Sequence, residues 1–117
     1  MVTSIGPNVL ALQAFSKQMD VSANNVANVL SDDFKKSRAI NTEGKNGQVE
    51  TTITKIETPG PRVGDPLSKT GESKELSNTG IAEELANQIV AEQGFKANVT
   101  AIKSSEETIG SLIDLMG

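Results

Sequence analysis

The chain has 117 residues, no Cys, no His and only Phe15, Phe34 and Phe95 as aromatics, with 36% hydrophobic content and a net charge of −4. That length bounds it to one small domain with little apolar mass for an isolated core. The missing Cys and His exclude disulfides, thiolate chemistry and the usual zinc sites, and the acidic balance argues against nucleic acid as a partner. No run reaches the length of a membrane span, and the start of the chain lacks a basic segment before an interrupted apolar stretch, so no cleavable signal peptide is expected.

Charge divides the chain into three. Residues 1–31 carry only Lys17 and Asp20, residues 32–80 carry eight acids and eight bases, and residues 81–117 carry six acids against Lys96 and Lys103. The expected organisation is an N-terminal helix over 1–31, a small β/loop segment with a flexible linker over 32–80, and a C-terminal helix over 81–117.

The first segment has a helical period. Ile5, Val9, Leu12, Ser16, Met19, Ala23, Val26 and Leu30 alternate in steps of four and three, which is a heptad seam. The opposite face, Ala11, Ala14, Gln18, Val21, Asn25 and Asn28, carries no charge. A helix exposed on one side normally shows Lys and Glu there, so this one reads as covered on both sides. Asn24, Asn25 and Asn28 each cost about half a kcal/mol against Ala in a helix, so amide contacts or a helix end must justify them. The helix is expected to stop near Ser31, Asp32 and Asp33.

Residues 41–47 are turn chemistry, and the β-branched run 48–57 predicts a strand with Val49, Thr51 and Ile53 on one face. The proline-rich stretch 58–66 fits neither a central strand nor a helix, and the charged, Gly- and Ser-bearing stretch 67–80 reads as a flexible connection.

A second seam runs through Ile81, Leu85, Gln88, Glu92, Phe95, Val99, Ile102, Glu106, Ile109, Ile113 and Met116. Asn78 or Thr79 suits its N-cap, with Glu83 and Glu84 in the first turn. Gly94 and Gly110 each cost about 1 kcal/mol in a helix, whether for close approach or by tolerance. The fold expected is mainly α, with the two terminal helices pairing along these seams as an antiparallel coiled coil around a small β-containing centre.

Catalytic chemistry has no foothold. The acidic pairs Asp32/Asp33, Glu83/Glu84 and Glu106/Glu107 read as solvated faces, no His or Cys serves a nucleophile, and no phosphate-cradling glycine loop or metal spacing occurs. No catalytic, cofactor or metal residue is assigned, and no small-molecule substrate is expected.

The stretch "SANNVANVLSDDFKKSRA" (22–39) resembles the N-terminal signature of the bacterial flagellar rod and hook axial proteins, an Asn-Asn-x-Ala-Asn run followed by a turn and an aromatic-Lys pair. Asn24, Asn25, Ala27, Asn28, Phe34 and Lys35 match it, with Asp33 where the family's turn glycine stands. "NTGIAEELANQIVAEQGFKANVTAIKSSEETIGSLIDLM" (78–116) is similar to the family's closing helix at Asn78, Glu84, Phe95, Ala97, Asn98, Ile102 and Leu115. The central "VETTITKIETPGPRVGDP" looks most like that of a proximal rod protein, here short. The resemblance implies a structural subunit of the basal-body rod, the periplasmic drive shaft, exported uncleaved through the flagellar type III apparatus. It would stack with its own copies and other rod subunits through its terminal helices, which form the inner tube wall and are disordered in isolated monomers. On that reading the asparagines make inter-subunit and inter-helix amide bonds, and Asn28 helps end the helix. A soluble adaptor or regulator of the export system, or an unrelated helical-hairpin binding module, are the alternatives.

Overall fold

The computed structural model describes residues 5–117, with side chains from Asn8 onward. The elements in chain order are α1 (Ile5–Ala27), β1 (Ser37–Glu43), a 3-10 turn (Lys45–Gly47), β2 (Val49–Lys55), β3 (Arg62–Gly64), β4 (Ser73–Glu75) and α2 (Ile81–Met116). β1 and β2 form one antiparallel ribbon, registered from Ser37 opposite Lys55 to Glu43 opposite Val49. β3 and β4 form a second, shorter one. The fold is therefore mixed, two helices with two small antiparallel sheets, rather than a mainly α coiled coil.

Three local expectations change with it. The stretch 67–80 is not merely a connection: β4 lies within it and pairs with β3, and Leu76 N–H donates to Pro61 O at 2.7 Å. The backbone bonds to a neighbouring strand order a segment whose composition alone favours disorder. β1 emerges from a stretch with no strong strand signal, because β2 supplies a full ladder beside it. Its hairpin turn uses Asn46 and Gly47 at positive φ, 65° and 72°.

α1 stops at Ala27, earlier than the acidic pair. The Asn28 side-chain amide donates to Asn24 O at 2.9 Å, satisfying a terminal carbonyl, and Asn28 Oδ1 accepts from Ser31 Oγ at 3.1 Å. The chain then turns through Asp33 at φ 58°, the left-handed conformation that glycine adopts most easily.

α1 and α2 pack antiparallel, since Phe15 meets Gly94 while Ser22 meets Glu84. The faces that meet are not the two heptad seams. On α1, the buried residues are Ala14, Ser22 and Asn25, on the uncharged small-residue side; on α2 they are Glu84 and Ala91. Small residues let the backbones come close, and the bulkier seam residues then point away. At Gly94 the approach is closest: a Cβ there would lie 2.5 Å from the Phe15 ring. Around Gly110 nothing lies within 4 Å.

These two glycines should therefore answer oppositely. Gly110→Ala should raise stability by up to about 1 kcal/mol through helix propensity. Gly94→Ala gains the same propensity but overpacks Phe15, for a net loss of about 1–2 kcal/mol. Urea unfolding midpoints of the two variants check the signs.

The molecule is elongated, 82 × 25 × 14 Å, with a radius of gyration of 20.9 Å. A compact chain of this length would have one near 13 Å. α2 spans about 54 Å against about 35 Å for α1, so its C-terminal turns run past the described start of α1. Among the described residues, only Ala14 and Ala91 are buried apolar side chains. The fold encloses almost no hydrophobic core.

Candidate assembly surface

The end of α1, the start of β1 and the start of α2 meet in a joint made of amides. Asn25 is 1% exposed, and both polar atoms of its side chain are used on one residue: Nδ2 donates to Ser37 O at 2.7 Å and Oδ1 accepts from Ser37 N at 2.9 Å. The amide thus acts as a one-residue strand partner, docking β1 onto α1. Asn78 does similar work from the other side. Its Nδ2 donates to Ile56 O and Thr58 O at 2.8 and 2.9 Å, and its Oδ1 accepts from Lys36 N at 2.7 Å. Ser22 Oγ donates to Glu84 O at 3.0 Å, tying α1 to the first turn of α2.

These contacts correct two expectations. Asn25 does not face a neighbouring subunit, because its amide is sealed and fully bonded inside its own chain. Neither Asn78 nor Thr79 caps α2; Gly80 holds that position with no side-chain cap, since the Asn78 amide is committed to three backbone groups. Glu84 also departs from the solvated reading: it is 1% exposed, while Glu83 beside it is on the outside.

Ion pairs surround the joint. Glu83 bridges Lys36 (2.8 Å) and Arg38, and Lys35 pairs with Glu75, which also accepts from Gly60 N–H at 2.9 Å. The Lys36 and Arg38 hydrogen bonds hold the Glu83 carboxyl below its ordinary value of 4.5. Lys35, then the Gly60 N–H, do the same for Glu75. Both carboxylates favour the folded state while ionised, so their contribution is full above pH 4.5 and lost as the pH falls below it. Stability should drop on acidification through this window, and Glu83→Gln and Glu75→Gln together should flatten that drop. Thermal melts between pH 7 and pH 3 read the slope.

The remaining motif residues lie on the surface or close their own helix turns. Asn24 and Ala27 are exposed, Phe34 is half-buried with its carbonyl accepting from Asn78 N–H at 3.3 Å, and Ala97 is exposed. Asn98 Nδ2 donates to Gly94 O at 3.1 Å, one turn back along α2.

The seam residues form no closed contact. On α1, Val9 and Leu30 are exposed, and Leu12, Met19 and Val26 are half-buried. The Ile5 side chain lies outside the described residues. On α2, Ile81, Leu85, Phe95, Val99 and Ile113 are exposed, and only Ile102 and Ile109 are half-buried. With Ile89, Val90, Leu112, Leu115 and Met116, the exposed residues among them give α2 ten large apolar side chains that stand 40–88% in solvent. Exposed apolar surface on this scale marks an interaction face. The signal for the outward direction was in the sequence: small residues on one face of α1 and a glycine opposite them on α2 set the intrachain contact.

Residues 73–115 match the family model described as flagellar basal body rod FlgEFG protein C-terminal. This segment, rather more than a third of the chain, is thus similar to the C-terminal part of flagellar basal body rod proteins. The matched segment covers β4, the amide joint at Asn78 and nearly all of α2, including its exposed apolar side chains up to Leu115. No curated protein matches the chain. The proteins so described are components of the flagellar basal body rod. Among the described residues, no group of three or more His, Cys, Asp or Glu occurs that could hold a metal ion, and no helix is long and apolar enough to cross a membrane.

Proposed function

We propose that this protein is a subunit of the flagellar basal-body rod that assembles through its terminal helices into a helical tube with its own copies and other rod subunits. The observation that carries the reading is the mismatch between burial and apolar content. A chain that buries two alanines as its only apolar side chains, among the described residues, while presenting an apolar α2 needs neighbours to complete its core. The division of labour follows: residues 1–31 and 81–117 supply the axial helices, and residues 32–80 a small β-bearing segment held to them by Asn25 and Asn78. Delivery through the flagellar type III apparatus, without cleavage, and a periplasmic position belong to the same proposal.

The test is the composition of purified basal bodies. A tagged copy expressed from its native locus should co-purify with rods, and its deletion should leave basal bodies with a shortened or missing rod. A protein recovered only in the soluble fraction, with rods intact after deletion, would contradict the proposal.

A further inference from the structure

Glu84 is buried without a partner. Its Oε1 accepts no hydrogen bond, while neighbouring Glu83 takes two cations. An uncompensated carboxylate in such a place is costly to the folded chain. Glu84 forms part of the wall of a cavity of about 230 Å³ between α1, α2 and the start of β1, together with Gln18, Ser22, Ser37, Arg38 and Asn87. The Ser22 hydroxyl donates to the Glu84 carbonyl and Arg38 is paired with Glu83, and neither the Gln18 nor the Asn87 amide bonds to the Glu84 carboxylate. Asn87 is exposed, so the cavity can be entered from outside. A bound water occupies about 30 Å³, so the space accommodates a side-chain head group and the end of its stem.

We propose that this cavity receives the ammonium group of a lysine from a second copy of the chain, which pairs with Glu84 in the assembly. The inference rests on the self-assembly reading above. Lys17, Lys45, Lys55, Lys69 and Lys103 have no ion-pair partner in their own chain among the described residues, and of these Lys17 and Lys103 stand on the two helices proposed to assemble. Lys103 also stands on the part of α2 that runs towards and past the described start of α1, well placed to meet another copy. A head-to-tail contact, in which different surfaces of two copies meet, brings the lysine of one to the Glu84 of the next. The empty carboxylate then has a function: the monomer carries an unbonded Oε1 that the neighbour satisfies.

Glu84→Gln separates the two states, because it removes the charge while keeping the shape. As a dilute monomer the variant should melt at the same temperature as the wild type or higher. In sedimentation over rising concentration it should self-associate at least tenfold more weakly. Lys103→Glu or Lys17→Glu should weaken association similarly, and combining that change with Glu84→Gln should cost no more than either alone. Wild-type association with Glu84→Gln unaffected would overturn the cavity assignment and leave the assembly reading standing. A Glu84→Gln monomer that melts markedly lower would also overturn it, by placing the partner within the same chain at Arg38. Charge reversals that leave association unchanged, or that add fully to Glu84→Gln, would overturn the lysine. A wild-type chain that never self-associates would overturn both readings.

Discussion

Asn25→Ala should destabilise the isolated protein by about 2–4 kcal/mol, although alanine is the better helix former by about half a kcal/mol. The loss comes from Ser37, whose N–H and C=O would both be left without the amide that pairs them. Each such orphaned group costs about 1–3 kcal/mol where water cannot replace the partner. Asn25→Asp should be worse still, since a carboxylate cannot donate to the Ser37 carbonyl and would face it with like partial charge. Asn28→Ala, by contrast, removes exposed bonds at the helix end and should cost no more than about 1 kcal/mol. Urea unfolding followed by circular dichroism reads all three. An Asn25→Ala loss below half a kcal/mol would mean that β1 docks without the amide.

Val99→Asp and Ile89→Asp should leave the monomer nearly unchanged and disable assembly. Both side chains are exposed in the chain alone, so substitution there should stay within about 0.5 kcal/mol of wild type. In a packed interface, an unpaired charge at either position costs about 3–5 kcal/mol, a loss of roughly 10²–10⁴-fold in association per contact. Sedimentation of the purified variants and motility of cells carrying them give the two readings. Normal motility with either aspartate would remove α2's apolar face from the assembly.

The helices were legible because a 3.6-residue period survives any tertiary context, and the hairpin turn because Asn-Gly has few conformations open to it. The partner face was harder. Heptad spacing marked Leu85, Val99 and Ile113 as a seam, yet hydrophobic spacing says that a face is covered and not by what. The intrachain contact went instead to Ala14, Ser22 and Ala91, where small side chains and the gap at Gly94 allow closer packing than leucines do. β1 and β4 were missed for a related reason: each is ordered by a ladder to a strand distant in sequence or across a turn, and short polar strands carry almost no local signal. Glu84 illustrates the limit most sharply. Adjacent acids in a first helix turn look alike in sequence, and only the packing of α1 shows that one faces solvent and its neighbour faces Ser22. The asparagines were legible as a signal but not in direction, since an amide that clasps its own strand and one that reaches a neighbour follow the same spacing.

The central claim is that the apolar face of α2 is open in the free chain and closed in the rod. The chain has no cysteine, so Val99→Cys introduces a single thiol on that face. Its rate of reaction with a maleimide, in the purified monomer and in isolated basal bodies, measures the closure directly. The account predicts fast labelling of the monomer and labelling slower by at least an order of magnitude in basal bodies. Equal rates in the two would contradict it.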